Sequence, residues 1–232
     1  LRKLHGDNVR TTKLSMNFRC QNEIVELCNA VADFRRSKVA MKKQSNEVDE
    51  KSARPGRPNV WLDYSDENII GLIELLIGYP NVAIIVAGEK EKNQLIHLYG
   101  EEKYVRADNP IIFHVAEVKG MEYQYVVCLD IVSSHIDTWD LIFNGCESKK
   151  KTKYRYYFNL FYVGITRAQE NLCLVERTGR SFFYKSVLEE TEHEVKITHC
   201  NTPDEDKLGV KSGNKDGIKE AAVALLDLLN QE

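Results

Sequence analysis

No Gly-x-x-x-x-Gly-Lys-Ser/Thr stretch occurs anywhere in the 232 residues, so the chain has no phosphate-cradling loop with its lysine. Gly-x-Ser-x-Gly and His-Glu-x-x-His are missing too, which leaves serine-hydrolase and zinc-protease chemistry without their usual residues. The six cysteines (Cys20, Cys28, Cys128, Cys146, Cys173 and Cys200) include no Cys-x-x-Cys and no tight Cys/His spacing, which argues against a zinc site. No apolar run approaches the roughly 18 residues that a membrane span needs, so a membrane is not an expected partner. Neither charge dominates: 32 Lys and Arg stand against 35 Asp and Glu, a net charge of −3. That balance excludes a protein wrapped in nucleic acid over its whole surface and leaves room for a local basic face. The opening Leu1-Arg2-Lys3-Leu4-His5 lacks both the apolar centre of a signal peptide and an initiator methionine, so the chain reads as a piece of a longer protein.

What is present describes an ordinary globular domain, 43% hydrophobic and 29% charged. The length suits one well-packed α/β unit rather than two of ordinary size. Four cysteines lie in apolar contexts such as Val127-Cys128-Leu129 and Leu172-Cys173-Leu174, as free thiols do in the core of a protein from a reducing compartment. The expected compartment is the cytoplasm, or the nucleus in a eukaryote.

Two periodicities alternate along the chain. Val60–Tyr64, Val82–Val86, Ile111–Val115, Tyr125–Leu129 and Leu172–Val175 are short runs, mostly continuous in their apolar character, as in strands buried on both faces of a parallel sheet. Between them Ile24, Cys28, Val31 and Phe34, then Ile69, Leu72, Ile73 and Leu76, then Phe158, Phe161, Tyr162 and Ile165 recur at helical spacing. Strand alternating with helix predicts an α/β fold with a wound, mainly parallel sheet flanked by helices. Residues 40–58 read as a polar loop ending in Pro-Gly-Arg-Pro. Residues 133–153, with Trp139 and the basic run Lys149–Lys151, read as an insertion between a strand and the next helix. The main domain is expected over 1–200, a polar linker over 201–217, and an amphipathic helix over 218–232 that carries Ile218, Ala222, Leu225, Leu226 and Leu229.

Three segments set charged residues inside apolar surroundings. Leu14–Gln21 offers Asn17 and Arg19 from a short strand, just before a helix opens. Val118-Lys119-Gly120-Met121-Glu122 is wedged between two apolar strands. Phe161–Ala168 ends a helix with Thr166-Arg167 ahead of a strand. Strand-to-helix junctions at the edge of a parallel sheet are where such folds bind ligands. Arg19 and Arg167 can fork onto phosphate oxygens, Gly120 permits close backbone approach, and Glu122 can accept from a ribose hydroxyl. Gly209-Val210-Lys211-Ser212-Gly213 follows no strand and reads as a decoy, as does Asp63 without a P-loop beside it.

In order, these segments resemble the C-terminal motor motifs of superfamily 1 DNA helicases of the UvrD, Rep and PcrA type. Leu14–Asn29 (Leu-Ser-Met-Asn-Phe-Arg-Cys-Gln-Asn-Glu) resembles motif IV, Glu117–Leu129 (Val-Lys-Gly-Met-Glu-Tyr) motif V, and Phe161–Val175 (Tyr-Val-Gly-Ile-Thr-Arg-Ala) motif VI. The resemblance covers about residues 1–177. It implies a RecA-like domain of the P-loop NTPase type, the second motor domain, without a P-loop of its own. It also implies an ATP-dependent DNA helicase or translocase, with DNA repair among its settings, whose isolated second domain is inactive. Arg167 then looks like the arginine finger on the γ-phosphate and Arg19 like a second arginine there, with Gly120 and Glu122 meeting the nucleotide. Lys119 and His114 would touch single-stranded DNA. The cofactor implied is ATP with Mg2+, the ion held mainly by an N-terminal RecA-like domain of the same protein, which is the expected partner along with single-stranded DNA.

The pattern departs from the family at Ala116, where a histidine often stands, and at His114, two residues earlier, where threonine is usual. The large subdomain that precedes motif V in UvrD-type proteins has no room in residues 89–110. Two other readings stay open: a non-catalytic helicase-like binding module, and the helicase part of a nuclease–helicase fusion, although no carboxylate–lysine nuclease cluster is evident.

Overall fold

A computed structural model describes residues 15–39, 49–64, 66–77, 79–107, 110–144, 151–177 and 182–200. Lys149 and Lys150, the 201–217 linker and the 218–232 helix lie outside the described residues. Chain order is α1 (Asn22–Lys38), β1 (Asn59–Tyr64), α2 (Asp66–Leu76), β2 (Val82–Val86), α3 (Glu89–Tyr99), α4 (Glu101–Val105), β3 (Ile112–His114) and β4 (Tyr123–Leu129). A 3-10 turn (Ser133–His135), α5 (Ile136–Phe143), α6 (Lys151–Ile165), β5 (Ala168–Arg177), α7 (Phe182–Glu189) and β6 (Ile197–Cys200) complete it.

The strands form one sheet in the order β3-β2-β4-β5-β1-β6, with every neighbouring pair parallel. This is the α/β wound sheet that the sequence predicts, with β6 as a strand its pattern did not announce. The continuous apolar runs follow from burial on two sides. Ala83, Ile85, Val126, Cys128, Leu172 and Leu174 enter one core, with α1, α5, α6 and α7. The alternate residues Val82, Ile84, Val86, Val127, Leu129, Cys173 and Val175 enter the other, with α2 and α3. The strand period of two therefore survives as an alternation between cores rather than between core and water.

Residues 133–143, the start of the predicted insertion, are part of the first core. Trp139 and Ile142 are fully buried, and Trp139 packs on Phe158 and Phe183 at centroid distances of 5.0 and 4.6 Å. Cys20, Cys28, Cys128 and Cys173 are buried free thiols, as expected. No helix among the described residues is long and apolar enough to cross a membrane.

Candidate functional site

The starts of β4 and β5 are paired in register, Tyr123 against Ala168. The residue before each strand is therefore brought alongside the other: Glu122 ahead of β4 and Arg167 ahead of β5. The Tyr123 amide donates to the Arg167 carbonyl at 3.0 Å, and the Gln21 amide donates to the Gln169 carbonyl at 3.0 Å. That second bond ties the segment before α1 to the same edge. Three stretches up to 148 residues apart in sequence thus meet at one end of the sheet.

The expected short strand around Asn17 is a single parallel bridge, Met16 to Lys51. Arg19 sits in a bend that Asn17 holds, its Oδ1 accepting from the Arg19 and Cys20 amides at 2.9 Å each. Such an Asx turn is how asparagine shapes backbone outside helices and strands. Residues 51–54 brace the bend. Ser52 Oγ donates to the Cys20 carbonyl at 2.7 Å, and the Arg54 guanidinium donates to the Arg19 carbonyl.

Arg19 Nη1 donates to Glu122 Oε1 at 2.9 Å, and Gln169 Nε2 donates to Glu122 Oε2 at 2.8 Å. These bonds hold the Glu122 carboxyl below its ordinary range and the Arg19 guanidinium above its own. Arg167 is tethered by its own helix end. Its Nε donates to the Val163 carbonyl at 3.1 Å, Nη1 to the Met121 carbonyl at 3.0 Å and Nη2 to Thr166 Oγ1 at 3.1 Å. Burial lowers the Arg167 pKa, and the like charge of Arg19 lowers it further. Of the two guanidiniums, Arg19 bonds the Glu122 carboxylate, while Arg167 hydrogen-bonds neutral oxygens. Arg19 Nε is buried and has no acceptor among the described residues.

Behind the arginines lies a cavity of about 170 Å³ lined by Asn17, Arg19, Glu50, Tyr162, Thr166 and Arg167. Burial pushes the Tyr162 hydroxyl up to about 12, so it stays protonated and can donate. Gly120 has φ +90°, and a side chain there would meet nothing within 4 Å. Glycine is needed for the turn, and the space above the turn is open. Phe18, next to Arg19, is 80% exposed.

The structure brings together Arg19, Gly120, Glu122 and Arg167, but not all six residues singled out from sequence. The group stands at the amino ends of β4 and β5, not at the carboxyl ends where α/β sheets usually bind ligands, because Arg167 follows a helix and enters a strand. His114 stands at the carboxyl end of β3, level with Val86. Its amide donates to Glu117 Oε2 at 2.9 Å and its Nδ1 accepts from the Ala116 amide at 3.3 Å. Lys92 bonds Glu117 at 2.7 Å, which makes a separate group at that end. Lys119 is exposed between the two groups.

Sequence reasoning missed Gln169, Glu50 and Phe18. Gln169 lies two residues beyond Arg167, the strand period that puts both on one face. Glu50 comes from the polar 40–58 loop, where nothing in the pattern marks it. Glu122 and Glu50 are the carboxylates beside the arginines among the described residues, and each is already engaged: Asn17 Nδ2 donates to Glu50 Oε2 at 2.8 Å.

No protein-family model matches the chain, and no curated protein matches it. Among solved structures it is similar to the C-terminal domain of a possible DNA helicase from Lactobacillus plantarum WCFS1, at 17% identity over 79% of this chain and 98% of that one, with a TM-score of 0.43. A likeness that distant carries no weight for the chemistry.

Proposed function

We propose that this chain is the second motor domain of an ATP-dependent DNA helicase or translocase of the superfamily 1 type, contributing arginines to an ATP site whose P-loop lies in another domain. The observation that carries this reading is the convergence of Arg19, Glu122 and Arg167 from three distant segments. Arg19 bonds Glu122, whereas Arg167 hydrogen-bonds only neutral oxygens among the described residues, and both guanidiniums are partly exposed to solvent. The residues fit a nucleotide triphosphate in three ways: the unmet Arg19 Nε–H, the open space over Gly120 and the exposed Phe18 ring.

In this reading Arg167 meets the γ-phosphate, where a guanidinium offsets the charge that builds up during phosphoryl transfer. Mg2+, held mainly by the P-loop domain, would offset phosphate charge there. Arg19 orients the same phosphate from the Glu122 side, and Glu122 accepts from a ribose hydroxyl. Phe18 supplies an aromatic face for the base. Arg167 reaches outward by giving up the Met121 carbonyl, so docking of the P-loop domain and release of that hydrogen bond belong to one event. Coupling nucleotide state to domain closure in this way moves a strand stepwise. His114 and Lys119 then offer contacts to single-stranded DNA, away from the arginines.

The test is single-stranded-DNA-stimulated ATPase of the full parent polypeptide, wild type beside Arg167→Ala. The expected loss in kcat is about 10³-fold or more, the weight an arginine finger carries. Equal turnover in the two proteins would sink the assignment, and a well-folded wild type without DNA-dependent turnover would favour a binding module.

A further inference from the structure

Outside the arginine site, we propose that His193, Asp33 and Asp49 form a binding site for a divalent transition-metal ion, with zinc the ion that suits them. Asp33 and Glu26 lie seven residues apart on α1, two turns, and so share a face. His193, in the segment between α7 and β6, lies against that face. Its Nδ1 is 3.2 Å from Glu26 Oε2 and its Nε2 is 3.1 Å from Asp33 Oδ2. Asp49 completes the group: one donor atom from each of Asp33, Asp49 and His193 lies within 4.8 Å of the other two. All three residues are half-buried.

The arrangement on the two sides of the ring is what points to a metal. A ligating histidine characteristically gives its other N–H to a carboxylate, which fixes the tautomer and aims the free lone pair. Glu26 occupies that place. With Nδ1–H given to Glu26, the Nε2 lone pair would face Asp33 Oδ2 at 3.1 Å, and the ion would take the place of the proton that otherwise bridges that pair. Donor atoms about 2.0–2.1 Å from one zinc ion, at tetrahedral to octahedral angles, stand about 3.0–3.4 Å apart. The 3.1 Å between His193 Nε2 and Asp33 Oδ2 falls in that range, and Asp49 closes on the ion from within 4.8 Å.

Arg36 supports the site rather than filling it. It pairs with Asp33 through Oδ1, the oxygen turned away from His193, and approaches Asp49 Oδ1 at 3.9 Å. Asp33, Asp49 and Glu26 set three carboxylates about the imidazole, an acidic setting that draws a divalent ion. An imidazole beside carboxylates selects zinc over magnesium, which prefers oxygen donors and keeps its water. The ion would pin three separate stretches to one another: α1, the segment entering β6, and residues 49–54. The last of these carries Glu50 into the arginine cavity and braces the Arg19 bend.

The experiment is a Co2+ titration of the 232-residue chain, followed by displacement with Zn2+ and by thermal melts with each metal. The expected result is one equivalent of Co2+ with a visible d–d band and no thiolate charge-transfer band, displaced by Zn2+, with Zn2+ raising the Tm. His193→Gln and Asp33→Asn abolish both signals, and Glu26→Gln weakens binding about 10–100-fold. Two ligand variants are used so that one misfolding protein does not decide the outcome. A band that survives in both variants, a thiolate band, an equal shift with Mg2+, or no binding by folded wild type overturns the site. None of these readouts depends on ATP turnover, so this inference and the motor reading fail separately.

Discussion

At the scale of single residues, the arginine pair makes the sharpest predictions. Arg167 binds three acceptors through a planar fork, and a lysine cannot reproduce that geometry with a single ammonium. Arg167→Lys is therefore expected to lose nearly as much kcat in the parent protein as Arg167→Ala, although charge is kept. Steady-state ATPase decides this, and a lysine variant within about tenfold of wild type would show that charge alone suffices. Phe18 makes a different claim. An 80% exposed aromatic ring beside an arginine proposed to bind phosphate has no packing to lose. Base stacking on an aromatic ring contributes about 1–3 kcal/mol. Phe18→Ala should accordingly raise the KM for ATP about tenfold with little change in kcat and none in Tm. A kcat loss at constant KM would assign Phe18 to closure of the two domains instead.

At the scale of elements, legibility followed locality. β2, β4 and β5 were readable because both of their faces are buried, which makes an unbroken apolar run of the right length. The helices were readable from spacing. Which strand ends meet was not, since the Tyr123–Ala168 register joins residues 45 apart and depends on strands pairing across the sheet. That register decides which candidate residues form a site, and it separated His114 from Glu122 although they lie eight residues apart. The local signal that was overlooked is α5, where Trp139, Ile142 and Phe143 stand at helical spacing but in only eight residues beside a run of lysines. Its position in the core yields a test. A dispensable insertion would tolerate Trp139→Ala, whereas a fully buried indole packed on Phe158 and Phe183 should cost about 3–5 kcal/mol on truncation. Denaturant unfolding of the two proteins measures the difference, and a loss under about 1 kcal/mol would place α5 outside the core.

At the scale of the whole molecule, one buried carboxyl links stability to pH. Glu176, at the carboxyl end of the central strand β5, is fully buried. It accepts from the Val132 amide at 3.0 Å, the Ser133 amide at 2.8 Å and the Tyr184 hydroxyl at 2.7 Å, and it also contacts Ser133 Oγ. It thereby joins β5 to the 3-10 turn and to α7. Burial pushes its pKa up to about 7 from an ordinary 4.5, and the charge of Asp130 adds to the rise. Between those values the folded chain keeps a proton that the unfolded chain has lost. Stability must then fall as pH rises across the window, by about 3 kcal/mol at about 1.4 kcal/mol per pH unit, and level off above pH 7. His135, whose pKa burial lowers, works in the opposite direction below pH 6.5. Glu122 and Glu117, both held low by hydrogen bonds from basic partners, contribute stability that is constant above about pH 4.5 and is lost only as pH falls below it. The comparison that isolates Glu176 is therefore wild type minus Glu176→Gln, by urea unfolding from pH 5 to pH 8. Glutamine still accepts through its carbonyl and can donate to Ser133 Oγ, so the variant should fold, and the difference should shrink as pH rises. Parallel profiles across the range would mean that Glu176 is ionised in the folded protein throughout, stabilised by its four donors against the loss of water.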